Sequence, residues 1–234
     1  MTPGEFADAT IVFDLDGTLV DTAPDLVRAL NETMDLEGLP RLKLETVRLI
    51  VGQGARVLIE RASALSGVSF SKERLDQLTK AFIEFYRADI ARDSRPFPEC
   101  IDALQELASL GAKLSVCTNK PTDLSIQLLD ALEMSARFAV IVGPDAVTDR
   151  KPHPDHFRAA VTRAGGDVQR AVMIGDTAAD VGSARGAGAP VVAVSFGYCD
   201  GGAEMLGADL VIDRFSELTS ACRCLLAANP KSAG

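Results

Sequence analysis

No stretch of this chain is apolar for long enough to cross a bilayer. Its longest apolar runs, such as residues 190–194 and 139–142, have strand length, against the roughly 20 residues that a membrane-spanning helix needs. Basic charge is scarce as well. Twenty-four lysines and arginines stand against 33 aspartates and glutamates, a net charge of −9; without a concentrated basic patch, such a surface repels nucleic acid and anionic lipid. The segment 1–9 carries Glu5 and Asp8 but no lysine, arginine or apolar core, so it lacks the pattern of a signal or transit peptide. The five cysteines, Cys100, Cys117, Cys199, Cys222 and Cys224, are odd in number and scattered, which excludes an obvious disulfide framework and suits a reducing, cytoplasmic setting. Cys222 and Cys224 have no second pair to complete a metal motif and read as helix packing.

What remains is an ordinary globular composition, 47% hydrophobic and 24% charged over 234 residues, a length that suits one domain with a substantial insertion. Runs at 10–13, 113–117, 138–142, 171–174, 191–194 and, more weakly, 210–212 are rich in β-branched residues and bounded by turns, the pattern of buried parallel strands. Helical spacing appears between them at 101–110, 124–132 and 156–164, the first ending at Gly111 and the last at Gly165 and Gly166. Alternation of this kind predicts an α/β fold: a doubly wound, mainly parallel sheet sandwich that binds ligands at the carboxyl ends of its strands. Residues 22–95 break the alternation. Leu26, Ala29, Leu30 and Thr33 form one helical stripe and Leu75, Leu78, Phe82, Phe85 and Tyr86 another, with no strand-like run between them. The expected organisation is a core of residues 1–21 and 96–234 with an all-helical cap, 22–95, inserted after the first strand.

The first strand runs into Asp14-Leu15-Asp16-Gly17-Thr18. Two acids on the same side of a buried strand end are costly unless a cation or proton compensates them, and such a carboxylate can serve as a hard-metal ligand or as a nucleophile toward phosphorus. Later strand ends supply Thr118, Asn119 and Lys120, offering a hydroxyl, an amide and a charge; then Lys151, placed to neutralise acids and phosphoryl oxygens; then Asp176 and Asp180, four residues apart. Together the acids make an oxygen-rich site suited to Mg²⁺. His153 and His156 have ligand-like spacing but read as helix-start residues, and Gly182, Gly186 and Gly188 lack the spacing of a nucleotide loop.

In this order, each after a strand, Asp14-x-Asp16-Gly17-Thr18, Thr118-Asn119, Lys151 and Gly175-Asp176-x-x-x-Asp180 resemble the four motifs of the haloacid dehalogenase superfamily, and an all-helical insertion after strand one resembles its first cap type. Within it, Asp14 through Leu26, Val51-Gly52-Gln53-Gly54, Cys117 through Pro121, Lys151 through Pro154 and Phe196-Gly197-Tyr198 are most similar to the phosphoglycolate phosphatases, which usually carry glycine where Glu99 stands here. The resemblance implies a Rossmann-like core and a Mg²⁺-dependent phosphomonoester hydrolase acting on a small phosphorylated metabolite, with 2-phosphoglycolate the foremost substrate. It implies Asp14 as the nucleophile that becomes an aspartyl-phosphate, Asp16 as acid and base, and Asp14, Asp16 (through its backbone carbonyl), Asp176 and Asp180 around the metal. It also assigns phosphoryl binding to Thr118, Asn119, Lys151 and the backbone at Gly17 and Thr18, and substrate specificity to Gly52, Gln53, Gly54 and Arg56 in the cap. The rival enzyme reading is a phosphomutase of the β-phosphoglucomutase kind; a phospho-accepting receiver domain and a noncatalytic binding protein are the readings from other classes. Oligomeric state, monomer or homodimer, is left open.

Overall fold

The computed structural model describes residues 4–199 and 201–228; positions 1–3 of the amino-terminal stretch considered above lie outside it. In chain order the elements are β1 (Thr10–Phe13), β2 (Val20–Asp21), α1 (Ala23–Asp35), α2 (Leu44–Arg48), α3 (Ala55–Leu65), α4 (Lys72–Ala88), β3 (Arg95–Pro96), α5 (Cys100–Ser109), β4 (Lys113–Cys117), α6 (Thr122–Ala131), β5 (Val140–Val142), α7 (Pro154–Arg163), β6 (Ala171–Gly175), α8 (Ala178–Ala187), β7 (Val191–Val194), β8 (Leu210–Ile212) and α9 (Leu218–Ala228). Six strands form one parallel sheet in the order β5-β4-β1-β6-β7-β8. The chain starts in the middle, winds outward through β4 and β5, then returns across β1 to lay β6, β7 and β8 on the other side. That reversal makes the carboxyl end of β1 the place where loops part and a ligand can enter.

Strand side chains alternate between faces, and the core divides accordingly. Ile11, Phe13, Leu114, Val116, Val172 and Ile174 pack with Leu104, Leu128 and Leu225 from α5, α6 and α9. On the other face, Val12, Met173 and Val191 pack with Phe157, Ala160 and Val161 of α7 and Val181 and Ala184 of α8. Burying a side chain such as Ile11 or Phe157 stabilises the fold by about 1.5–3 kcal/mol each. The fifth strand is shorter than the 138–142 run suggested, because a 3₁₀ turn at Ser135–Arg137 draws the Phe138 amide back to the Ser135 carbonyl (3.1 Å).

The segment between β2 and β3 is helical. The α1 stripe Leu26, Ala29, Leu30 and Thr33 is buried, as are Leu75, Leu78, Phe82 and Tyr86 of α4, while Phe85 is half-buried. Pro24 occupies the first turn of α1, where no amide partner is lost, and the Ser71 side chain caps α4 by accepting from the Arg74 amide (3.2 Å). The two chain crossings are more ordered than their proline-containing sequences suggest. They pair antiparallel as β2 and β3, Val20 opposite Pro96 and Asp21 opposite Arg95. Beside this ribbon the buried Asp25 accepts three hydrogen bonds on Oδ2, from the amides of Asp93 (3.0 Å) and Ser94 (2.8 Å) and the Ser94 hydroxyl (2.6 Å). No helix among the described residues is long and apolar enough to cross a membrane.

Candidate active site

Sheet register explains why residues far apart in sequence meet. Phe13 lies beside Val116 on one side and Ile174 on the other, so Asp14, Thr118 and Asp176 emerge from three adjacent strand ends within a residue or two of one another. Asp14 is 4% exposed and Asp176 and Asp180 are fully buried; one carboxylate oxygen from each of the three lies within 4.8 Å of the others.

Each acid is held in place. Asp14 Oδ1 accepts from the Leu15 amide (2.7 Å) and lies 2.9 Å from Lys151 Nζ. Its other oxygen has no protein partner among the described residues, and Asp14 lines a cavity. Asp176 accepts from the Thr18 hydroxyl on Oδ1 (2.9 Å) and from the Tyr198 amide on Oδ2 (2.8 Å). Asp180 receives Lys151 Nζ on Oδ1 (2.6 Å) and the Thr177 amide and hydroxyl on Oδ2 (3.0 and 2.7 Å), closing a capping box at the start of α8. Gly17 has φ +84°, and a Cβ there would stand 2.3 Å from Asp176 Oδ2; the turn after β1 therefore needs glycine both for its conformation and to let Asp176 approach.

Charge in this cluster is unbalanced. Three buried carboxylates face one ammonium, that of Lys151. Burial pushes the Asp14 carboxyl up to about 7 although Lys151 pulls it back, and burial together with the charges of Asp14 and Asp180 drives Asp176 well above the ordinary carboxylate range. Burial opposes charge on Lys151, but Asp14 and Asp180 outweigh it and hold the ammonium firmly protonated. A divalent cation would remove this excess of negative charge, and oxygen donors are what a hard cation prefers. The residues present thus fit a metal of that kind.

Asp16 takes a different course. Its Oδ1 accepts from the Thr22 hydroxyl (2.7 Å) and pairs with Lys120 Nζ (2.9 Å), so its side chain stands beside the acid cluster rather than in it. Lys120 also donates to the Tyr86 hydroxyl (3.1 Å) and sits 4.3 Å from the centre of that ring. Burial disfavours its charge, yet the carboxylate of Asp16 and the hydroxyl of Tyr86 raise its pKa above the usual lysine value.

Over the strand ends lies a cavity lined by Asp14, Asp16, Thr118, Asn119 and Lys120 below, with Leu26, Leu58, Phe82 and Tyr86 from the helical layer above. The 52–54 turn closes one side. Asn119 Nδ2 donates to the Gly52 carbonyl (3.1 Å) and to that of Lys151 (3.2 Å), while a Cβ at Gly52 would meet Thr177 Cγ2 at 3.1 Å and one at Gly54 would meet Arg150 Nη1 at 3.0 Å. Gly52 and Gly54 reach the cavity; Gln53 lines a separate open groove with Arg150 and His153. The structure does not bring Arg56 there: its guanidinium pairs with Asp76 and lies 3.7 Å from Glu60, one helical turn on. Three donors expected at a phosphoryl group are also committed elsewhere. The Gly17 amide bonds the Val20 carbonyl (3.0 Å), the Thr18 amide that of Leu15 (3.4 Å), and the Asn119 amide hydrogens the two carbonyls just named. Thr118 keeps its hydroxyl hydrogen, since its oxygen acts as acceptor from the Lys120 amide (3.2 Å).

His153 caps α7 by accepting from the Asp155 amide. His156 lies inside that helix, fully buried, and supports the Lys151 loop: the Lys151 amide donates to Nδ1 (3.0 Å) and Nε2 lies 3.1 Å from the Val142 carbonyl. Gly182 and Gly186 pack against Pro152 and Pro154, and Gly188 ends α8 in the left-handed conformation.

These residues build a strand-end acid cluster with a buried lysine on a doubly wound sheet, and comparison with known proteins gives that core its class. The family model of haloacid dehalogenase-like hydrolases matches residues 11–194. The chain belongs to that family. Among its relatives, the phosphoglycolate phosphatase of Caulobacter vibrioides is 52% identical, covering 95% of this chain and 94% of that one, and that of Agrobacterium fabrum is 44% identical, covering 90% of each. A crystal structure from Haemophilus somnus, described as a predicted phosphoglycolate phosphatase, superimposes with a TM-score of 0.83 at 28% identity, covering 91% of this chain and 96% of that one. The chain is thus an enzyme of the phosphatase class, similar to phosphoglycolate phosphatases.

Proposed function

We propose that this enzyme hydrolyses a small phosphomonoester, 2-phosphoglycolate foremost, through an aspartyl-phosphate on Asp14, with Mg²⁺ as its metal. The observation that carries the reading is the arrangement of Asp14: one oxygen is pinned by the Leu15 amide and Lys151, the other has no protein partner among the described residues, and the residue lines the cavity. The free oxygen attacks phosphorus, forming the Asp14–phosphoryl bond as the bond to the leaving oxygen breaks. Asp16 gives that oxygen a proton, then takes one from the water that attacks phosphorus and releases Asp14. Lys151 holds Asp14 and a phosphoryl oxygen in register, and the Thr118 hydroxyl donates to another. Asp180 orients Lys151 through their 2.6 Å contact, while Thr18 and the Tyr198 amide fix Asp176. Asp14, Asp176 and Asp180, with the Asp16 carbonyl, would hold Mg²⁺, which supplies positive charge against the phosphoryl oxygens. The residues 22–95 act as a cap, with the 52–54 turn and the apolar residues of α3 and α4 excluding water.

Shape supports a small substrate. Leu26, Leu58, Phe82 and Tyr86 bring apolar walls over the strand ends and the 52–54 turn closes one side, an enclosure that suits a short leaving group. The similarity to phosphoglycolate phosphatases supports the same choice. The test is phosphate release with Mg²⁺ from a panel of 2-phosphoglycolate, hexose phosphates, nucleoside monophosphates and an aryl phosphate. The reading expects the highest kcat/KM for 2-phosphoglycolate; interconversion of hexose phosphates without phosphate release would make the enzyme a mutase instead.

A further inference from the structure

The proposed reaction leaves the far end of the substrate without a partner. Arg56, a cation expected in that role, is turned to Asp76 at the surface, and Lys151 is enclosed between Asp14 and Asp180. Among the described residues, Lys120 is the one cationic side chain lining the cavity. It is 6% exposed, and of its three ammonium hydrogens two go to Asp16 Oδ1 (2.9 Å) and Tyr86 Oη (3.1 Å). The third has no protein acceptor. The cavity that Lys120 lines is also walled by Leu26, Phe82, Ile83 and Leu124, apolar side chains that limit water there and strengthen a charged hydrogen bond.

Resting on the phosphatase reading above, we propose that Lys120 binds a carboxylate on the leaving group, so that the site selects phosphate esters of 2-hydroxy acids. Position carries the argument further than charge does. Lys120 Nζ is in hydrogen-bond contact with the carboxylate that serves the leaving oxygen. A substrate whose carboxylate sits on the carbon next to its ester oxygen presents those two groups about one hydrogen-bond length apart, so Asp16 can take the ester oxygen while Lys120 takes the carboxylate. Moving the carboxylate one carbon further away breaks this match, and replacing it with a neutral amide leaves the ammonium without its anion. Tyr86 belongs to α4 and Lys120 to the β4–α6 loop, so this pocket is complete only when the helical layer is seated on the sheet.

The test compares kcat/KM for 2-phosphoglycolate, its carboxamide and 3-phosphooxypropanoate in wild type, Lys120→Met and Lys120→Arg, with folding checked by circular dichroism. Wild type should favour the carboxylate over the carboxamide by about tenfold to a hundredfold, the span of one charge-assisted hydrogen bond, and should favour 2-phosphoglycolate over the longer acid. Lys120→Met should reduce the carboxylate preference to within about threefold, mainly through KM, and Lys120→Arg should restore part of it. A folded Lys120→Met that keeps the preference overturns the proposal, as does a wild type that does not distinguish carboxylate from carboxamide. A second readout needs no variant: glycolate should inhibit aryl phosphate turnover by wild type far more strongly than glycolamide, and equal inhibition counts against Lys120. If wild type releases phosphate from the carboxamide and the aryl phosphate as readily as from 2-phosphoglycolate, only the Lys120 assignment fails; if it releases phosphate from none of them, the phosphatase reading fails with it.

Discussion

Replacing Asp25 tests how the helical layer is tied to the sheet. Its carboxylate is fully buried and takes the amides of Asp93 and Ser94 and the Ser94 hydroxyl on a single oxygen, joining the first turn of α1 to the returning chain just before β3. Asp25→Ala removes three hydrogen bonds to a charged acceptor and leaves buried donors without partners. Each hydrogen bond to a charged group is worth about 1.5–3 kcal/mol, and the shared acceptor makes the losses less than additive, so a destabilisation of about 3–4 kcal/mol is expected. Asp25→Asn retains an acceptor oxygen and should lose only about 1–2 kcal/mol. Ser94→Ala should cost about 1 kcal/mol in the wild type and close to nothing in Asp25→Ala, because its partner is already gone. Urea denaturation followed by circular dichroism measures all four proteins. The reasoning is refuted if Asp25→Ala lies within about 1 kcal/mol of wild type, or if the asparagine is as damaging as the alanine.

Two further outcomes follow from buried or strained positions. Burial and the charge of Lys151 lower His156 from 6.5 to about 4, and protonating Nδ1 would set it against the Lys151 amide that donates to it. The unfolded chain therefore holds more protons between pH 4 and 6.5, and this residue makes stability rise with pH across that window, by about 2 kcal/mol from pH 5 to 7; His156→Gln should lose that part of the slope, and an unchanged slope in urea titrations at the two pH values contradicts it. Glu99 adopts φ +63° where the phosphoglycolate phosphatases usually have glycine, a conformation that costs a non-glycine residue about 1–2 kcal/mol. Glu99→Gly and Glu99→Ala both lose the contact to the Ser216 amide, so the glycine variant should be the more stable by about 1 kcal/mol in thermal denaturation; equal stability would show that the backbone there is unstrained.

The sheet was legible because strands buried on both faces must be continuously apolar, and the runs at 10–13, 171–174 and 191–194 have little else in them. The first acids were legible for a related reason: Asp14 and Asp16, two same-side acids at the end of an apolar strand, are too costly to be there as packing, whereas Asp180 also caps α8, a role its sequence position allowed. What escaped is what depends on long-range contact. Strands of two residues, β2 and β3, carry no periodicity, and linkers with prolines gave no sign that they pair. Tyr86 read as one more member of an apolar stripe, which its ring is, but its hydroxyl meets a lysine 34 positions away. In sequence Arg56 is the cation placed to meet a substrate and Lys120 only a charge at a strand end; the packing of α3 beside α4 gives Arg56 an acidic neighbour in Asp76. Asn119 was expected at a phosphoryl group, and nothing local told that its amide would instead fasten the 52–54 turn.

The central claim is that Asp14 becomes phosphorylated during turnover. The most direct measurement is acid quenching of the Mg²⁺-loaded enzyme in the presence of 2-phosphoglycolate, followed by peptide mass mapping, in wild type and in Asp14→Asn. The account predicts a phosphoryl group on the peptide containing Asp14 in wild type, with neither label nor phosphate release in the folded Asp14→Asn. Undiminished phosphate release by Asp14→Asn, or a phosphoryl group on any other residue, would contradict it.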